Sequence, residues 1–195
     1  SNELHYIFSS NLILRGVYGA LSTTIDGNGI ADALVIYGNN IEVSGFTIKN
    51  QDKSCSGIRV GGDESGHPDN VKIHDNIFYL NDCLSGAYGL LLEGQYSNVA
   101  VYDNDFFSDD VDYEGAEQNA KDTHGTGYWH DNFWRDDSYS KNGVVDSSPR
   151  QDPLFLKRPD SATITETKNS FRTYQYEIVS YDPNNVGLYY EVIWG

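Results

Sequence analysis

The chain has 195 residues, enough for one domain that buries roughly 70% of its unfolded surface, so it is not a mini-protein held by disulfides alone. Thirteen Lys and Arg stand against 29 Asp and Glu, a net charge of −16 with no basic stripe, which excludes nucleic-acid binding by bulk electrostatics. Aromatic residues make up 13% and Tyr alone numbers 15, unlike a disordered acidic chain, and no apolar run approaches the length of a membrane span.

The chain-order reading is dominated by a repeat. Asn11-Leu12-Ile13-Leu14-Arg15-Gly16 returns as Asn40-Ile41-Glu42-Val43-Ser44-Gly45. It returns again as Asn70-Val71-Lys72-Ile73-His74-Asp75-Asn76 and as Asn98-Val99-Ala100-Val101-Tyr102-Asp103-Asn104, with a degenerate step at Tyr128-Trp129-His130-Asp131-Asn132. The offsets are 28 to 30 residues. A second apolar run sits between copies, at Ala33–Ile36, Gly57–Val60 and Gly89–Leu92. Short strands at this period, with no hairpin signal between them, predict a wound sheet in which each strand pairs with its equivalent one coil away.

These residues, with Thr24-Ile25-Asp26-Gly27-Asn28-Gly29 and Gly45-Phe46-Thr47-Ile48-Lys49-Asn50, resemble the right-handed parallel β-helix repeat superfamily that includes pectate lyases, polygalacturonases and phage tailspikes. The resemblance covers residues 5 to about 136. It implies an all-β fold, a right-handed parallel β-helix of about five coils with a C-terminal antiparallel β extension. The expected division is a β-helix over 1–136, an irregular connection over 137–160, and a β-hairpin over 161–195 that caps the helix or serves assembly. Within it, Ser170–Ile178 and Val186–Trp194 alternate around the turn signal Tyr181–Asn185.

Cys55 and Cys83 are 28 residues apart, one coil, and are expected to be near neighbours, either as a disulfide in an oxidising compartment or as two buried thiols. Alignment on the repeat also stacks Asp75, Asp103 and Asp131, flanked by Asn76, Asn104 and Asn132 and by His74, Tyr102 and His130. The Asn column reads as an amide ladder. For the Asp column three readings stand open: a solvated turn face, a cation bridge, and a catalytic carboxylate set suited to glycoside hydrolysis. Asp103, Asp105, Asp109, Asp110 and Asp112 form the candidate calcium cluster, without EF-hand spacing. Trp129, Trp134, Tyr128 and Phe133 are candidates either for core or for stacking sugars.

The family's enzymes set further expectations. A pectate-lyase-like base is available in Arg59 or Lys72, yet a chain of this charge repels polyuronates. Polygalacturonase motifs are only loosely echoed by Asn50-Gln51-Asp52, Asp109-Asp110 and His124-Gly125. The expected function is a secreted or cell-surface structural module, calcium-stabilised and binding copies of itself or a surface polysaccharide. The alternatives are a polysaccharide lyase or glycoside hydrolase using the stacked carboxylates, and a viral or phage fibre.

Overall fold

The apolar residues two apart in each repeat dictate strands with one face inward, and the Asn, Asp and Gly residues between them dictate turns. The computed structural model describes residues 6–28, 32–49, 56–62, 66–80, 88–108, 119–135, 142–155, 163–170 and 173–179. It is an all-β parallel solenoid with three sheets, each five strands deep. One sheet stacks β1 (Tyr6–Ile7), β4 (Leu34–Ile36), β7 (Ile58–Gly62), β10 (Leu90–Gly94) and β13 (Ala120–Asp122). The middle sheet stacks β2 (Leu12–Arg15), β5 (Ile41–Ser44), β8 (Asp69–His74), β11 (Ser97–Tyr102) and β14 (Tyr128–His130). The third stacks β3 (Thr24–Asp26), β6 (Thr47–Lys49), β9 (Ile77–Leu80), β12 (Asp105–Ser108) and β15 (Phe133–Trp134). No helix among the described residues is long and apolar enough to cross a membrane.

The strand register reproduces the sequence repeat. In the middle sheet Leu14 pairs with Val43, Val43 with Ile73, Ile73 with Val101 and Val101 with Trp129, all pointing inward. In the third sheet the rings of Phe78, Phe106 and Trp134 stack at 4.6 and 4.4 Å between centroids, each pair within 5° of parallel. Like-on-like columns of this kind fill the interior, so Trp129 and Trp134 are core residues, while Tyr128 is exposed.

Two columns of left-handed backbone bracket the middle sheet. Asn11, Asn40, Asn70 and Asn98 enter it with φ of 61°, 54°, 55° and 50°. Gly45, Asp75, Asp103 and Asp131 leave it with φ of 77°, 55°, 53° and 56°. Asn and Asp tolerate this region better than other residues with a Cβ because their short polar side chains bond locally. Beside the exit column the expected amide ladder is buried: the backbone N–H of Phe46, Asn76 and Asn104 donate to the side-chain oxygens of Asn76, Asn104 and Asn132, each at 3.1 Å. Each amide nitrogen returns bonds to carbonyls, as Asn104 Nδ2 does to Ile73 and Tyr102 at 2.9 Å. An outer ladder is exposed, with Asn40 Nδ2 donating to Asn11 at 3.0 Å and Asn70 Nδ2 to Asn40 at 2.8 Å.

Part of the expected irregular connection stays on the helix. Asp146 and Arg150 form parallel bridges with Trp129 and Phe133, so residues 142–154 lie along the last strands. Asp146 ends the ladder, accepting from Asn132 N at 3.2 Å, Asn132 Nδ2 at 3.0 Å and Trp134 Nε1 at 2.9 Å. The chain divides after Leu154, not at 136 or 160. In the second unit β16 (Thr163–Ser170) pairs antiparallel with β17 (Thr173–Val179). β17 overlaps the first expected strand, Ser170–Ile178; the partner expected for it, Val186–Trp194, lies outside the described residues.

Removing a ladder amide leaves several buried partners unsatisfied, each at about 1–3 kcal/mol. Asn104→Ala is expected to lose about 3 kcal/mol of unfolding free energy, measured by urea denaturation. Asn40→Gly, which keeps the left-handed turn and loses only two exposed ladder bonds, is expected to stay within about 0.5 kcal/mol of the parent chain.

Candidate functional site

The outward face of the middle sheet carries the residues singled out by the repeat. Strand alternation turns Arg15, Ser44, His74, Tyr102 and His130 outward in one register column. The three rings form a continuous stack: His74 and Tyr102 lie 4.7 Å apart and 4° from parallel, Tyr102 and His130 5.0 Å and 3°. The next residue on each rung is the exit-turn Asp. His74 Nδ1 is 2.8 Å from Asp75 Oδ2, and His130 Nδ1 is 2.7 Å from Asp131 Oδ2. His74 Nε2 lies 3.5 Å from Glu42 Oε1, which accepts from Arg15 Nη2 at 2.9 Å.

The carboxylates of this column are not equivalent. Asp131 accepts from His130 and, at 2.7 Å, from Ser148 Oγ, and these bonds hold its carboxyl below the usual Asp range. Asp103 follows a Tyr instead of a His and has no comparable donor; burial pushes its carboxyl up, and Asp75 and Asp131 add repulsion that Arg150 partly offsets. Tyr102 is raised by burial and then by Glu42, Asp75 and Asp103. Glu42 is lowered chiefly by its bond from Arg15. The structure thus brings Asp75, Asp103 and Asp131 together in one column, as the repeat implies.

Two of the five carboxylates of the candidate calcium cluster, Asp103 and Asp105, are among the described residues. Asp105 is fully buried and already paired, accepting from Arg150 Nη2 at 2.8 Å and from the Leu154 N–H at 2.8 Å. Asp103 remains in the turn column. Asp109, Asp110 and Asp112 lie outside the described residues, as do Cys55 and Cys83 and the Asn50-Gln51-Asp52 motif. Among the described residues no group of three or more His, Cys, Asp or Glu is placed to hold a metal ion.

Arg59, one candidate base, is held by Asp32 at 2.9 Å and approaches Glu93 at 3.8 Å. Lys72, the other, is exposed and lines a shallow groove of about 300 Å³ with Glu42, Ile13 and the outer Asn ladder. His124-Gly125 belongs to a turn organised by buried Asp122. The Asp122 carboxylate accepts from the N–H groups of His124, Gly125 and Gly127 at 3.2, 2.7 and 2.8 Å, from Trp129 Nε1 at 3.1 Å and from the Tyr96 hydroxyl. Burial, with the Asp122 bond, pushes the Tyr96 hydroxyl up to about 12.

The residues missed in the sequence are Asp122, Asp146 and Arg150. Arg150 does the most: Nε donates to the Asp131 carbonyl at 2.6 Å, and Nη2 to the Asn104 carbonyl at 3.1 Å as well as to Asp105. Its signal was an isolated Arg inside an acidic, proline-bearing stretch, which has no repeat partner at 28 residues. The chain matches no family model, no curated protein and no solved structure.

Two outcomes follow from this geometry. Folded Asp103 has a pKa above its unfolded value, so its charge destabilises the fold at neutral pH, and that effect disappears as pH falls through the folded pKa toward the ordinary value of about 3.9. Asp103→Asn, which tolerates the left-handed turn, should melt above the parent chain at pH 7 and lose the advantage in acid; a lower melting temperature at pH 7 would contradict the assignment. Arg150→Ala strands the buried Asp105 carboxylate and is expected to cost about 3 kcal/mol or more, read by denaturant unfolding.

Proposed function

We propose that the chain is a non-catalytic scaffold module of a secreted or cell-surface protein, related to the pectate-lyase-like β-helix proteins that its repeat resembles. One observation carries this reading: the polar columns that the sequence offered for chemistry are engaged with their own neighbours. The Asn side chains bond the adjacent rung, and the His–Tyr–His rings cover one another. Asp75, Asp103 and Asp131 occupy left-handed turn positions that Gly45 fills on an earlier rung, so backbone geometry accounts for their residue type. The partner class is a second copy of the chain or a surface polysaccharide. Calcium stabilisation belongs to the proposal through Asp103 and the acidic residues after it, with Asp105 already occupied.

A second reading, a glycoside hydrolase or polysaccharide lyase, draws on a specific pairing. Asp103 and Asp131 follow adjacent strands that are about 4.8 Å apart in spacing, with their carboxyls shifted up and down. Opposed shifts are what an acid and its partner carboxylate need.

Incubation with a panel of neutral and acidic polysaccharides separates the two. The scaffold reading expects no reducing ends and no unsaturated products. Release of either, abolished in Asp131→Asn, would replace it with the enzymatic one. Melting in calcium and in chelator tests the metal: a higher melting temperature in calcium is expected, and identical melting removes it from the proposal.

A further inference from the structure

The imidazole of His74 is fixed in plane and in tautomer. Its ring lies 4.7 Å from that of Tyr102 and 4° from parallel, and its Nδ1 is 2.8 Å from Asp75 Oδ2. An ionised carboxylate only accepts, so Nδ1 carries the proton and the neutral ring keeps its lone pair on Nε2. That atom is 3.5 Å from Glu42 Oε1 on the preceding strand.

A nitrogen lone pair and a carboxylate oxygen repel each other unless a cation stands between them. An ion of the zinc class binds imidazole nitrogen and carboxylate oxygen at about 2.0–2.1 Å. At that distance from both atoms it would close an N–ion–O angle of about 115°, near tetrahedral. A carboxylate on the other ring nitrogen is also what orients a ligating His and raises its basicity, and Asp75 supplies one. The His74 and Glu42 side chains are 13% and 23% exposed, open enough for an ion and its waters, and the charge of −16 draws cations toward the chain. Arg15 Nη2 bonds the same Glu42 oxygen at 2.9 Å, but its side chain is 62% exposed, so yielding that oxygen costs little.

The repeat provides an internal comparison. His130 also stacks on Tyr102, and its Nδ1 is 2.7 Å from Asp131 Oδ2. Register sets Ser44 beside His74 and Tyr102 beside His130, so the place that Glu42 takes on the first of these rungs falls to Ala100 on the second. The column therefore holds two His–Asp pairs, and one of them has a carboxylate across from it on the preceding strand.

We propose that His74 Nε2 and Glu42 Oε1 form a site for one divalent ion of the zinc class, with Asp75 orienting the ring and water completing the coordination. Two protein ligands are consistent with the lack, among the described residues, of any metal-holding group of three. A nitrogen donor suits zinc and its transition-metal neighbours and not calcium, which takes oxygen ligands, so the site is separate from the calcium of the scaffold reading and does not depend on it. The bound ion would tie β5 to β8.

Calorimetric titration of the full chain with Zn²⁺, with melting recorded for each variant in the absence of the metal to separate a lost site from a lost fold, tests the proposal. One ion that depends on His74 is expected. His74→Gln and Glu42→Gln should each weaken it by about tenfold or more, and Asp75→Asn, which suits the left-handed turn, by about tenfold. Arg15→Ala, a change to an exposed side chain, should tighten it severalfold, and His130→Gln should leave it unchanged. A parent chain that binds no zinc, zinc binding indifferent to His74→Gln and Glu42→Gln, an affinity unmoved by Arg15→Ala, or an equal loss in His130→Gln would each overturn the proposal.

Discussion

Each rung must repeat the backbone of its neighbour closely enough to hydrogen-bond to it, and the remaining structure depends on that register. A slip of one residue in the middle sheet would turn Leu14, Val43, Ile73, Val101 and Trp129 outward and bring Arg15, His74 and His130 into the core. The left-handed columns at both ends of that sheet guard against the slip, since each needs Asn, Asp or Gly at one position per rung. The buried ladder adds a second guard. Asn76, Asn104 and Asn132 find acceptors and donors only when the rungs are aligned, so a shifted register would leave several amides unsatisfied in a dry interior.

Register has an electrostatic consequence. A repeat that stacks strands also stacks whatever the turns carry, and here it stacks Asp on Asp on Asp in a chain already strongly acidic. Local donors relieve two of the three: His74 sits against Asp75, and His130 with Ser148 against Asp131. Asp103 follows Tyr102, which continues the ring stack but contributes no such bond, and it takes up the unfavourable share. Its raised carboxyl follows first from burial and then from its neighbours in the column, and is not by itself a mark of catalysis.

The repeat made the solenoid legible in the sequence because its period survives in backbone-determining residues. Asn40, Asn70 and Asn98 mark the strand entries, and the pairing of Val43 with Ile73 and of Ile73 with Val101 follows from them directly. The columns of the candidate site were legible in membership but not in chemistry. Alignment puts His74, Tyr102 and His130 together, yet it cannot say that they stack face to face or that each His turns to the Asp beside it. The last stretch was misread for a physical reason: Asp146 pairs with Trp129 after 17 residues instead of 28, so the rung is too short for a periodic search to catch. Arg150 likewise reaches back 45 residues to Asp105 through side-chain contact, and no spacing rule reports that. Thr163–Ser170, with three Thr and little apolar alternation, gives only a weak strand signal, so its pairing with β17 was not legible.

Arg150 also fastens the segment that follows the last rung. Its guanidinium ties the terminal segment to the Asp131 and Asn104 carbonyls and to the buried Asp105 carboxylate, so displacing that segment would strand a charge in the interior. An incoming strand from another molecule would have to compete with those bonds for the edges of β14 and β15. Termination and register are thereby linked: the Asp146 carboxylate that completes the Asn ladder belongs to the same segment that keeps the solenoid from growing past it.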